Sequence, residues 1–157
     1  MTAMNAPMLS LYSLRSLARA LQHPAALLGR RIGPQLRERI ILRVSSINRC
    51  AVCSAVHAGV ARVEGLSGDD IHDARKASKD RLDERSLIAL RYAELRTAGL
   101  EADHPDDVAA FEQAFTPSEQ TEVRAIVDLF TFNNRFNNTW EAWLPGAQRR
   151  RQRMGLG

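Results

Sequence analysis

Apolar residues recur at intervals of three and four along nearly the whole chain, and no stretch shows the strict alternation of a half-buried strand. The pattern predicts an all-α fold. Leu11, Leu14, Leu17, Ala18 and Leu21 fall at helical spacing and mark an ordered amphipathic N-terminal arm. Pro34 stands where a first helical position belongs and opens a helix over 34–47, with Leu36, Ile40, Ile41, Val44 and Ile47 on one face. Asn48-Arg49 breaks that pattern. A second helix runs over about 50–64 and stops at Gly65, and Ser67 to Asp70 caps a short one over 68–77. Residues 82–97, ended by Gly99, and 105–115 supply two more. Thr116-Pro117-Ser118-Glu119 combines a cap, a first-position proline and a capping-box acid, so a long last helix should run from 117 to about 140, with Pro145 marking its end. The organisation read from this is a helical arm over 1–33, one domain over 34–144 and a tail over 145–157.

At 157 residues and 45% hydrophobic content the chain suits one domain with a sizeable core. Its net charge of +4 belongs to the ends. Residues 1–37 hold five arginines and no acid, and Arg149, Arg150, Arg151 and Arg153 form a basic tail, which leaves the body between them at −5. A nucleic-acid partner therefore finds no support in the body of the chain. The arginine-rich start also fits an organellar transit peptide, the alternative to an ordered arm. No stretch approaches the ~18 apolar residues of a membrane span, and no secretory signal pattern opens the chain, so a cytoplasmic protein without a membrane partner is expected.

The only two cysteines stand as Cys50-Ala51-Val52-Cys53, with His57 four positions on. Cysteines three apart close a loop too short to restrain the unfolded chain much, so the pair is better suited to redox or metal chemistry than to stapling the fold. On a helix all three side chains project from one side. His57 is one turn from Cys53 but roughly 10 Å of rise from Cys50, so only Cys53 pairs with it easily. Cys50, nearest the helix start, has the stronger dipole effect. Cys53 is accordingly assigned as nucleophile, because a base within reach can take its proton and later deliver one, and Cys50 as resolving thiol.

Glu38 lies twelve residues before Cys50, about 18 Å along a straight helix. If the helices fold back at Asn48-Arg49, Glu38 comes level with the neighbourhood of His57, within ~4–6 Å of its ring. There it would fix the imidazole tautomer. From spacing alone, the favoured reading of Glu38 is an ordinary first-turn acid, held by the dipole of its own helix.

The run from Glu38 to His57, E-x(11)-C-x-x-C-x-x-x-H, resembles the alkyl hydroperoxidase D-like branch of the carboxymuconolactone decarboxylase superfamily. The likeness extends through Arg43 to Asn48, Gly65 to Ser67, Asp83 to Leu90 and Asn134 to Thr139, covering roughly residues 36–143. It implies a single-domain fold of about six to eight helices, a helical hairpin carrying the cysteines, and assembly into homotrimers or homohexamers. It also implies a peroxidase that reduces hydroperoxides with Cys53 peroxidatic, Cys50 resolving and Glu38 with His57 as proton relay. No tightly bound cofactor is implied; an external dithiol of lipoyl type, protein or small molecule, reopens the disulfide. Where relatives carry a histidine between the cysteines this chain has Val52, which shortens the relay.

Three other readings compete. Zinc on Cys50, Cys53 and His57 lacks a third cysteine and needs Glu38 as fourth ligand, so no metal is expected. Decarboxylase chemistry leaves the paired thiol without a use, and a non-enzymatic binding or assembly module is the remaining class. Phe132, Phe136 and Trp140 form a stripe suited to the core or, less favoured, to a subunit interface. His23 and His104 each precede proline and read as turn residues, and His72 has no partner that singles it out. Asn133, Asn134, Asn137 and Asn138 are poor helix formers whose concentration asks for a reason the sequence does not supply.

Overall fold

The structure is a computed structural model that describes residues 7–146 together with 149 and 152. Most of the arginine-rich tail and the first six residues of the arm lie outside the described residues. Among the described residues there are seven α-helices and no strand: α1 (Leu11–Leu21), α2 (Pro34–Ile47), α3 (Ala51–Val63), α4 (Gly68–Lys76), α5 (Glu84–Ala98), α6 (Pro105–Ala114) and α7 (Pro117–Ala142). Short 3-10 turns occupy Pro24–Leu28 and Glu101–Asp103.

Helix α2 is the centre of the molecule. Its buried residues, Leu36, Glu38, Ile40, Ile41, Leu42, Val44 and Ser45, cover most of its circumference, and it packs against α3, α4, α5 and α7. A helix enclosed in this way has no purely solvated face, which is why charged Glu38 ends up inside. The main core joins Ile40, Ile41 and Val44 of α2 to Leu90, Phe111, Val123 and Ile126 from three other helices. Within it the rings of Tyr92 and Phe111 stack with centroids 3.8 Å apart. A smaller cluster, Leu42, Ala58, Ala61, Leu66 and Ile71, lies under α3 and α4.

Side-chain caps start five of the seven helices, while α2 and α6 start on Pro34 and Pro105 without one. Ser67 and Asp70, and Thr116 and Glu119, form reciprocal capping boxes at α4 and α7. The fifth helix begins at Glu84, two residues later than the apolar period indicates, because Asp83 is extended and accepts from the Ser86 N–H. Gly65 and Gly99 close α3 and α5 with positive φ, and in each case the next residue donates back across the helix end, Leu66 to Ala61 and Leu100 to Leu95.

The N-terminal arm forms the expected helix but turns its other side inward. Ser13, Ser16 and Ala20 are buried against the long last helix, while Leu11 is 75% exposed and Leu14 and Leu21 also face outward. Small residues let α1 lie close to α7, and the bidentate contact of Arg19 with buried Asp128 fixes it there. Asp128 also holds Arg96 of α5, so one carboxylate ties three helices together.

The caps carry a pH signature. The Ser67 hydroxyl and N–H hold the Asp70 carboxyl below its ordinary range. For Asp83 burial acts upward but is outweighed by the Ser86 hydroxyl and N–H, and for Glu119 burial is outweighed by the Thr116 N–H and Arg85, so both are also held low. A carboxyl held low in the folded state adds stability that is complete above the unfolded value of about 4 and is lost as pH falls through the lower folded value. Urea midpoints should therefore decline as pH drops below about 4. Asp83→Asn, which keeps an acceptor without the titration, should flatten part of that decline; an unchanged slope would remove Asp83 from the account.

Candidate active site

The site is built on the turn between α2 and α3. Helix α2 ends in a Schellman arrangement: Arg49 N–H donates to Ser46 O at 3.1 Å and Cys50 N–H to Ser45 O at 2.9 Å. Arg49 takes the left-handed position usually held by glycine, with φ 54°. Cys50 then serves as N-cap of α3, its Sγ accepting from the Cys53 N–H at 3.3 Å. One residue thus ends the first helix's cap and begins the second, leaving no slack between them.

Cys50 and Cys53 are joined as a disulfide, their Cα atoms 5.4 Å apart, at the first turn of α3. Both are buried, with 1% and 4% of their surfaces exposed, whereas Val52 between them is 52% exposed on the outer side of the helix. One turn further, His57 Nδ1 lies 2.7 Å from Glu38 Oε2. Glu38 is 1% exposed, and its second oxygen accepts from Arg37 Nε at 3.1 Å. A carboxylate only accepts, so the bond carries its proton on Nδ1 and leaves Nε2 as the basic nitrogen of the neutral ring. Phe130 of α7 packs edge-on against the imidazole, with centroids 4.8 Å apart, and restricts its rotation.

The structure brings together all four residues singled out in the sequence. The hairpin places Glu38 on His57, and helical spacing sets the Cβ atoms of Cys53 and His57 about 6 Å apart. It also gives partners to three of the four asparagines of α7. Asn134 Oδ1 accepts from the Ser45 hydroxyl, Asn137 Nδ2 donates to Cys53 Sγ at 3.3 Å, and Asn138 Nδ2 donates to Asn48 O at 2.7 Å and to Pro7 O at 2.9 Å. Arg135 Nε adds a bond to Asn48 Oδ1 at 3.1 Å; its removal from water by burial holds its own ionisation below the ordinary arginine value. The crowding of poor helix formers was the only sign of these contacts in the sequence. The aromatic stripe, by contrast, does not enter the core: Phe136 is exposed, and Trp140 is 63% exposed. Asn134 and Asn138 occupy the inward face of this part of α7, so the rings on the neighbouring face turn out.

Among the described residues no group of three or more His, Cys, Asp or Glu side chains is placed to hold a metal ion. His72 is exposed on α4, and His104 caps α6 with Asp107 3.8 Å away. Among the described residues no helix is long and apolar enough to cross a membrane.

The Glu38 contact makes a spectroscopic prediction. Nitrogen NMR of neutral His57 should show the Nδ1–H tautomer, and Glu38→Ala should shift the ring toward the Nε2–H form that free imidazole side chains prefer. Indistinguishable ring signals in the two proteins would mean that Glu38 does not orient the base.

Comparison with curated proteins and with solved structures finds no significant match. A family model described as "Carboxymuconolactone decarboxylase family" matches residues 15–94, just over half of the chain. The matched span runs from α1 into α5 and contains Glu38, Cys50, Cys53 and His57. With the helical hairpin and its dithiol site in that span, the chain belongs to the carboxymuconolactone decarboxylase family, the superfamily that includes the alkyl hydroperoxidase D-like branch.

Proposed function

We propose that this protein is a thiol-dependent peroxidase that reduces hydroperoxides through Cys53 and Cys50. The observation that carries the reading is the 2.7 Å Glu38–His57 contact one turn beyond a Cys50–Cys53 disulfide. A disulfide used only as a clamp gains nothing from an oriented imidazole, whereas a thiol that must lose a proton, attack and return a proton does.

In the reduced protein His57 Nε2 takes the Cys53 proton, and the thiolate attacks the terminal peroxide oxygen. The O–O bond breaks, Cys53 becomes a sulfenic acid, and the departing alkoxide or hydroxide receives the proton from His57 and leaves as alcohol or water. The Cys50 thiol then attacks the sulfenic sulfur, expelling water and forming the disulfide. An external dithiol, of lipoyl type and either protein-borne or small, reopens it by two exchange steps and is itself oxidised. A reducing cytoplasmic setting suits such a cycle.

Assembly into a homotrimer or homohexamer is part of the proposal. Its support is the apolar surface the single chain leaves open: Val52, Val56 and Val63 on α3, Phe136, Trp140 and Trp143 at the end of α7, and the outward leucines of α1. The family's decarboxylase chemistry remains the alternative enzyme class, although no part of it calls for a buried dithiol.

Hydroperoxide consumption with a supplied dithiol tests the reading. The parent protein should turn over, and Cys53→Ser should abolish consumption. Cys50→Ser should consume about one equivalent of peroxide and stop, because the sulfenic acid has no partner. His57→Ala should slow the reaction by roughly 10²–10⁴-fold, the usual contribution of a positioned base. If Cys53→Ser retains the single oxidation and Cys50→Ser loses it, the two roles are exchanged; a parent protein inert toward every hydroperoxide removes the peroxidase reading.

A further inference from the structure

The contact between Asn137 and Cys53 has a use that the disulfide alone does not require. A disulfide sulfur is a weak acceptor, so an amide N–H aimed at it gains little in the oxidised state. A thiolate in the same place carries a full charge, and a donor already pointing at it is worth far more. Asn137 reaches Cys53 Sγ at 3.3 Å from α7, 84 residues away along the chain. Its helix is fixed around that point: Asn134 meets Ser45, Arg135 meets Asn48 and the Thr97 carbonyl, and Asn138 meets Asn48 O. The donor is therefore held in position before any charge forms, and the 4% exposure of Cys53 leaves little water to compete with it.

The two sulfurs are served differently. Cys50 Sγ accepts a backbone N–H from its own helix start, while Cys53 Sγ has a side-chain donor from another helix. His57 stabilises a Cys53 thiolate only while it is protonated, whereas an amide donates at every pH. We propose that Asn137 is the anion-stabilising donor of Cys53, holding its thiolate as nucleophile toward peroxide and as leaving group when the disulfide is reduced.

In the second role the external thiolate attacks Cys50 Sγ and forms a mixed disulfide. The Cys50–Cys53 bond breaks, its electron pair stays on Cys53 Sγ, and the Asn137 N–H receives the new charge. The second thiol of the reductant then attacks its own sulfur in the mixed disulfide and releases Cys50 as thiolate, which takes up a proton. The dithiol ends oxidised and the protein ends with two reduced sulfurs. This role in turnover rests on the peroxidase reading; the effect on Cys53 ionisation does not.

The test uses the full chain with Cys50→Ser, so that one thiol titrates, and compares it with the same protein carrying Asn137→Leu or Asn137→Asp. Asparagine and aspartate are nearly isosteric, which keeps the test open if leucine prevents folding. Thiolate absorbance against pH should shift its midpoint upward by roughly one pH unit in the leucine protein, and further in the aspartate protein, where a like charge faces the sulfur. Alkylation by iodoacetamide near neutral pH should slow about three- to tenfold. A merely structural asparagine would lower the thermal midpoint and leave both readouts unchanged, and that result overturns the proposal. In the chain with both cysteines, reduction of the disulfide by dithiothreitol should slow by a similar factor in each variant; an unchanged rate overturns the leaving-group role. A parent protein without peroxidase activity whose Asn137 variants still shift the titration would remove the proposed function and leave this inference standing. An active parent with unshifted variants would do the reverse.

Discussion

Everything in the site depends on how little chain separates α2 from α3. Cys50 donates its N–H to close the end of α2 and offers its sulfur to the first turn of α3. With Arg49 in the left-handed conformation the chain reverses over Asn48-Arg49, and the two helices run back along each other from a fixed origin. A longer connection would let α3 slide or rotate against α2. Here a residue's distance from the turn decides what it meets, and Glu38 meets His57. The left-handed arginine costs roughly 1–2 kcal/mol relative to glycine, an expense the surrounding bonds to Asn48 offset.

Helix α7 holds that turn in place from the far side. Its inward face is unusually polar, and four of the groups there join it to other parts of the chain. Glu122 accepts from the backbone N–H groups of Arg31 and Ile32 and so positions the approach to α2. Asp128 joins α1 to α5, Asn134 meets α2, and Asn138 closes on the turn carbonyl. Asparagine lowers helix stability by up to about 0.7 kcal/mol per position relative to alanine, and a hydrogen bond contributes about 1 kcal/mol in return. The exchange is nearly even in energy. Its gain is directional, since apolar contacts would tolerate a small rotation of α7 that hydrogen bonds to one carbonyl and one sulfur do not.

The hairpin and the grouping of the candidate site residues were legible in the sequence for the same reason: both are local. Pro34, Gly65, Ser67, Thr116 and the Cys50–Cys53–His57 spacing state their consequences within a few residues, and the turn at 48–49 follows from a break in period. What escaped the sequence is long-range. Asn137 on Cys53 spans 84 positions, and nothing near residue 137 says which helix it will face. The leucine face of α1 misled for a related reason. Periodicity identifies an amphipathic helix but not which face the fold selects, and close packing on α7 selected the serines. The stripe Phe132, Phe136, Trp140 was displaced outward by asparagines whose partners lie in another part of the chain.

The charges of the site close among themselves. The Glu38 carboxylate is buried between the Arg37 guanidinium and His57, so both of its oxygens have a partner. In the proposed cycle, a proton passing from Cys53 to Nε2 would leave an imidazolium between the Glu38 carboxylate and the Cys53 thiolate with the total charge unchanged. In a medium poorer in water than the surface, creating a net charge is expensive while separating charge within a compensated row is not. At the sulfur end the contact from another helix is an amide, Asn137 Nδ2 at 3.3 Å from Cys53 Sγ. A directed amide from α7 is the kind of group that can serve there, because it stabilises an anion without introducing a second charge that would itself need a partner.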